Sequence, residues 1–438
     1  VDGLLHRLER SAHILTLVKL ANVGLSMLWG FAVTYVFVRV LPPGDFRAFL
    51  LLVAFNNFTI SAEFGLTNII YARLRRFWLG RSADGDPGDF RPEEMGVLFL
   101  FLLGLIGLGT LVVAGAIAGG WIATSVPLLF VLFFIVSALN VLSLLAKRGL
   151  AAVDGNILWE GIDLSRRAVS LVALIAVLFG FDLMASVLVQ LVVSLLGIGA
   201  GIVLLQRRTG MRTRQWVAWR VGGGHIRRLY LRDIGASVLL TLSEITAYNA
   251  PYFTIAALSH DPRLLLLFDF VFKMSRAVST AIRATVEAVL PGLTSAWFRH
   301  DARAFGKRLL TASGVALGIA GCAALLLLAI GQRLFDELFG GRAHITLSEQ
   351  GWLCVILMAL ALICVSVYVQ GALSRFAPLL RQSLPFLAGS LLTMPLALGA
   401  GQRGDHASAF MAIYGAVFVA TALLHIVALR RLLREAAA

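Results

Sequence analysis

The chain has 438 residues, 59% of them hydrophobic and only 14% charged, with a net charge of +14. Ordinary globular domains are about 45–50% apolar and about 25% charged, so a string of soluble domains, a disordered chain, a collagen-like chain and a disulfide scaffold are all excluded. The bilayer is the remaining solvent, and there the basic excess reads as loop asymmetry instead of a nucleic-acid footprint.

Stretches of about 20 mainly apolar residues predict twelve spanning helices, near 14–41, 46–73, 95–118, 122–146, 161–181, 183–206, 233–258, 264–293, 307–331, 351–374, 382–401 and 407–429. Breakers separate them: Leu41-Pro42-Pro43-Gly44-Asp45, Gly119-Gly120, Asp261-Pro262, Gly340-Gly341 and Gly401-Gln402-Arg403-Gly404. The first apolar run is too long for a cleavable signal peptide and continues into a span. An even count puts both termini on one side. Loops on that side hold 28 Lys and Arg and opposite loops six, while Lys19, Lys273, Arg276 and Arg283 fall within spans. This bias predicts cytoplasmic termini.

Residues 207–232 form the longest cytoplasmic loop and divide the chain into six-helix lobes at 1–206 and 233–438. Trp216, Trp219, Ile226, Leu229 and Tyr230 alternate there with arginines, which predicts an amphipathic linker at headgroup level. A solvated linker is the plainer alternative. Gly222-Gly223-Gly224 lacks a following GKS or GKT and reads as a hinge, not a phosphate loop. Cys322, Cys354 and Cys364 sit in apolar runs without paired spacing, so neither a metal site nor a disulfide is expected.

Ionisable groups inside spans are costly and usually mark a pathway. In span eight, Asp269, Lys273, Arg276, Thr280, Arg283 and Glu287 close into an arc of roughly 80° at about 100° per residue. That face reaches about 27 Å along the axis, nearly the hydrocarbon thickness. The pairs Asp269–Lys273 and Arg283–Glu287 also admit a reading as self-neutralising glue, but Arg276 has no acidic neighbour at helical spacing. Polar faces recur in span one (Lys19, Asn22, Ser26), span two (Asn56, Thr59, Glu63, Thr67) and span seven (Ser237, Thr241, Glu244, Tyr248), where Pro251 adds a kink or hinge. Glu160 and Asp163 beside Arg166 and Arg167 read as an interfacial ion-pair network, and His425 as a packed, hydrogen-bonded histidine. Polar helices therefore occupy the same two positions of each half, which predicts an all-α membrane protein with two six-helix lobes around a central cavity. Arg276 and Arg283 give that cavity a cationic middle suited to phosphate.

At this point the chain resembles the multidrug/oligosaccharidyl-lipid/polysaccharide exporter superfamily, specifically its polysaccharide-transporter flippases. The resemblance rests on Arg39-Val40-Leu41-Pro42-Pro43-Gly44-Asp45-Phe46 after span one, Glu63-Phe64-Gly65-Leu66-Thr67 in span two and Val289-Leu290-Pro291-Gly292-Leu293 ending span eight. These loose motifs, with twelve spans in two halves, cover essentially the whole chain. The resemblance implies a bacterial inner-membrane flippase moving undecaprenyl-pyrophosphate-linked oligosaccharides by alternating access. Helices one, two, seven and eight would surround the cavity. Lys273, Arg276 and Arg283 would hold the pyrophosphate with Lys19 assisting. Asn22, Asn56, Glu63, Glu244, Tyr248, Asp269, Thr280 and Glu287 would line the cavity or couple the cycle to H+ or Na+, with no cofactor. Expected partners are the lipid-linked substrate, membrane lipid, a polysaccharide polymerase and a chain-length regulator.

Two departures matter. Arg47 stands where the family usually has Gly, and span one carries Lys19 without an acid, unlike drug antiporters. Twelve spans, not the fourteen usual in peptidoglycan-precursor flippases, favour the polysaccharide branch. The alternatives are a cation-coupled multidrug exporter and a membrane component of a polysaccharide-synthesis complex. A membrane glycosyltransferase fits poorly, because the loops are short and carry no catalytic constellation.

Overall fold

The computed structural model describes residues 12–61, 66–82, 90–217, 239, 241–259, 261–373, 375–400 and 405–437. Among these there is no strand, and the helices follow the predicted order. They are α1 (Ala12–Val40), α2 (Pro43–Ser61), α3 (Leu66–Ser82), α4 (Glu93–Ala118), α5 (Pro127–Ala138), α6 (Asn140–Ala152), α7 (Asn156–Ala176) and α8 (Leu183–Thr209). There follow α9 (241–258), α10 (Pro262–Phe298), α11 (Ala302–Phe339), α12 (Leu347–Ala372), α13 (Phe376–Ala400) and α14 (His406–Ala437). Span two is built from α2 and α3, and span four from α5 and α6. Among the described residues, eight stretches are long and apolar enough to cross a membrane. Spans two, five, seven and eight fall outside that set.

The chain divides into two compact units, Val1–Val238 and Leu239–Ala438. Within unit 1, α1 packs on α7, α7 on α8 and α3 on α6. Within unit 2, α11 and α14 both pack on α12, α10 packs on α11, and α13 packs on α14. Helix axes approach closely where glycine faces an aromatic ring. A Cβ on Gly201 would lie 2.5 Å from Trp159, and one on Gly415 2.6 Å from Trp352.

In both units the turn after the first span is tied to the connection between the third and fourth. In unit 1 the Asp45 carboxylate, 4% exposed, accepts the Ser125 N–H at 2.7 Å and its hydroxyl at 2.5 Å. In unit 2 Arg263 donates twice to Glu349, at 2.8 and 2.9 Å, and also to the His344 carbonyl at 3.1 Å. Glu349 is fully buried and completes a capping box with Thr346 at the start of α12.

One expectation is corrected. Spans four and five shift: Pro127 starts the fourth at the position proline favours, and α6 runs on to Ala152. Only residues 153–155 separate it from α7. Lys147 and Arg148 are therefore helical and not loop residues. Hydropathy slides off these segments because it scores each charge alone, without the partners that neutralise it.

The ion-pair network read at Glu160 and Asp163 is present, Glu160 with Lys147 and Asp163 with Arg166 and Arg167, and Glu160, Asp163 and Arg166 are buried within the unit. The start of the linker packs against α4. Residues 213–217 form a 3-10 turn with Trp216 buried edge-on against Phe99, 5.6 Å between ring centres. A Cβ on Gly96 would collide with the Gln215–Trp216 backbone, so glycine makes that approach possible. Trp219, Gly222-Gly223-Gly224, Ile226, Leu229 and Tyr230 lie outside the described residues.

Candidate functional site

The charged face of span eight belongs to α10, a single 37-residue helix. At 1.5 Å per residue it is about 55 Å long, well beyond the roughly 30 Å of hydrocarbon. The face therefore changes surroundings along its length. Near Pro262 it is closed: Asp269 is fully buried, accepts the Tyr252 hydroxyl at 2.7 Å, and pairs with Lys273 one turn on. Tyr252 is itself fixed by edge-on contact with Phe268, 4.7 Å between centres. Seven and fourteen residues beyond Asp269, Arg276 and Arg283 are exposed. Arg283 lies over the Tyr368 ring of α12 at 6.0 Å.

Between the two arginines, Ser279 and Thr280 both donate to the Arg276 carbonyl, at 3.1 and 2.7 Å. Such back-bonding competes with the helix ladder and bends helices. The self-neutralising alternative is thus realised at Asp269–Lys273. The Glu287 side chain lies outside what is described.

On α9, Glu244 is partly buried and has no ion pair among the described residues. The Tyr248 ring stacks edge-on with Phe386 at 5.1 Å and approaches Phe418 at 6.4 Å. Pro251 is buried within this helix and has no N–H to give the Ala247 carbonyl.

In unit 1 the candidates separate. Asn22 turns into the bundle, donating to the Glu160 backbone carbonyl at 2.9 Å and to its carboxylate at 2.6 Å. Lys147 reaches the other carboxylate oxygen at 3.2 Å. Asp163 receives Arg166 at 2.7 Å and Arg167 at 2.8 Å, and Arg166 also donates to Asn140 at 3.0 Å. Asn56 is partly buried, and its amide oxygen has no partner among the described residues. Thr59 bonds back to the Phe55 carbonyl at 3.1 Å. Glu63 and the side chain of Lys19 lie outside what is described.

Sequence reasoning missed Tyr252, whose spacing of four from Tyr248 was a usable signal. It also missed the joining of Asn22 to Glu160 across 138 residues, for which one sequence carries no signal. Among the described residues no cluster of His, Cys, Asp and Glu is arranged to hold a metal ion.

No family model matches the sequence, and no curated protein matches it. Solved structures do. The chain is similar to the inward-facing form of a multidrug resistance MATE family transporter of the MOP superfamily, with TM-score 0.66, 12% identity and 97% and 95% of the two chains covered. The outward-facing form of such a transporter gives TM-score 0.63 and 14% identity over 96% and 95%. The Vibrio cholerae MATE transporter VcmN in its bent form gives 0.59 and 14% over 96% and 97%. Over essentially its whole length, this chain has the fold of the MATE transporters.

Proposed function

We propose that the chain is an alternating-access exporter whose cargo carries an anionic headgroup, namely undecaprenyl-pyrophosphate-linked oligosaccharide units for O-antigen, capsule or exopolysaccharide synthesis. The observation that carries this reading is the exposure of Arg276 and Arg283 on one face of α10, while Asp269 on the same face is engaged by Lys273 and Tyr252. Guanidinium groups remain charged and bind phosphate oxygens in a bidentate fork. Two of them about 10.5 Å apart along the axis, on long side chains, suit a diphosphate. Lys273 joins them only by leaving Asp269, and Lys19 is an auxiliary cation. The isoprenoid tail stays in lipid, and the inner membrane is the proposed location.

A second reading is a cation-coupled multidrug exporter. It is supported by the multidrug transporters that share the fold and by Glu244 beside the aromatic surface of Tyr248, Phe386 and Phe418. An acid next to aromatic faces suits a hydrophobic cation.

The two readings part on one experiment. Arg276→Ala with Arg283→Ala, at normal protein levels, abolishes surface polysaccharide and leaves drug tolerance unchanged under the first reading. Polysaccharide at the wild-type level, with raised drug sensitivity in Glu244→Gln, moves the assignment to the second.

A further inference from the structure

Helices α11 and α14 meet at one end of unit 2. Gly306 lies four residues into α11 and Leu433 four residues before the end of α14. A Leu433 methyl comes within 3.6 Å of where a Cβ on Gly306 would stand. Since α11 starts at this contact and α14 ends there, the two helices run antiparallel. Each carries a cation three residues before the contact and another one residue after it: Arg303 and Lys307 on α11, Arg430 and Arg434 on α14. These offsets lie about 60° and about 100° round the helix from the contact. Equal turns on two antiparallel right-handed helices point to the same side of the seam. The four cations therefore share one face.

All four are exposed, and among the described residues none of them pairs with an acid. The acids at this end are engaged elsewhere: Asp301 caps α11 by accepting the Ala304 N–H at 2.9 Å, and Glu435 pairs with Arg375. Further along the seam the same face turns apolar. Leu310 on α11 is 73% exposed, and Val427 and Leu423 on α14 are exposed with it. Gly314 is exposed as well, and a Cβ there would meet nothing within 4 Å. The cations thus form a layer about 9 Å deep along the axes, bordering an open apolar furrow.

We propose that this face binds an anionic phospholipid of the surrounding bilayer. Its phosphate sits among Arg303, Lys307, Arg430 and Arg434, where guanidinium forks can hold the phosphate oxygens. Its acyl chains lie along Leu310, Gly314, Val427 and Leu423. A soluble anion would satisfy the cations and leave that apolar surface wet; a lipid covers both. Basic clusters between spanning helices recognise anionic headgroups in this way. A basic excess that served only to orient the chain would need no particular face. Here the cations sit at matching offsets around one helix contact, next to an exposed furrow. The bound phosphate supplies the negative charge that both helices lack and ties α11 to α14. The site lies within unit 2 and stands whether or not the exporter reading holds.

The test uses the purified full-length chain in detergent, titrated with phosphatidylglycerol or phosphatidylcholine and read by native mass spectrometry. Wild type is expected to retain phosphatidylglycerol in preference to phosphatidylcholine. Arg303→Gln with Lys307→Gln, and Arg430→Gln with Arg434→Gln, should each weaken the tightest phosphatidylglycerol binding. The expected loss is about tenfold or more, on the scale of the attraction of surface Lys and Arg for anionic lipid. Arg207→Gln with Arg214→Gln, which removes two exposed cations of unit 1, should leave that binding unchanged. Phosphatidylglycerol with a photoreactive acyl chain should label the segments around Leu310 and Val427, and lose that label in both site variants. Equal binding of phosphatidylcholine overturns the proposal. So does an equal loss in the unit 1 variant, which would mark diffuse charge, or displacement of the lipid by excess inorganic phosphate, which would mark a soluble-anion site. Melting temperatures of the lipid-free variants check their fold. Should a variant fail to fold, the wild-type label map decides: label confined to other segments overturns the proposal.

Discussion

In unit 1 the carboxylates of Glu160 and Asp163 have their oxygens engaged by Asn22, Lys147, Arg166 and Arg167. In unit 2 the charged face of α10 is settled at one end by Lys273 and Tyr252 and emerges at Arg276 and Arg283. The sequence shows clustered charge in both places. What separates them is exposure: Glu160, Asp163 and Arg166 are buried, whereas Arg276 and Arg283 are exposed. A closed cluster holds helices in place, because each charge removed strands another away from water. An emergent cationic face costs the fold less and remains accessible to a ligand.

The comparison is broken most severely at Arg166. Arg166→Ala leaves Asp163 buried with Arg167 alone, and a loss of about 3–5 kcal/mol in unfolding free energy is expected. Asp163→Asn in the same chain should recover part of it, and a double-mutant cycle by denaturant titration in detergent measures the coupling. Gly201→Val and Gly415→Val probe a feature the units share, a glycine against a tryptophan ring. Each should cost about 1–3 kcal/mol by overpacking, read as a lowered melting temperature. The opposite pole is Arg276→Ala with Arg283→Ala, expected to change stability by no more than about 0.5 kcal/mol while export is lost. A stability loss as large as that of Arg166→Ala would show that the face of α10 is structural and erase the contrast.

The smallest effect belongs to Asp405, which caps α14 by accepting the Ser408 N–H at 3.2 Å. The bonds from Ser408 hold its carboxyl below the ordinary aspartate range despite some burial. Its contribution is therefore present above the unfolded-state pKa and fades as pH falls through the lower folded value. Stability measured from about pH 5 down to about pH 2 should show this slight decline in wild type and less of it in Asp405→Asn.

Much of the fold was legible because lipid enforces a simple grammar: apolar length for spans, proline and glycine between them. Pro43, Pro127 and Pro262 each mark a helix start. The misplacement of spans four and five shows where that grammar fails. Lys147 looks like a loop residue until Glu160 is seen beside it. The candidate site was legible along α10, where helical periodicity alone aligns Asp269 with Arg283. Contacts between distant segments were not, as Asn22 with Glu160 and Trp216 with Phe99 illustrate.

The paired ties between Asp45 and Ser125 and between Arg263 and Glu349 have a practical consequence for topology mapping. Reporter tags and epitope insertions placed at 121–126 or 342–346 would sever these ties and perturb the unit they are meant to report on. The turn at Gly180 offers a gentler position. It carries a positive φ of 94°, the neighbouring Phe179 is 85% exposed, and a Cβ added at Gly180 would meet nothing within 4 Å.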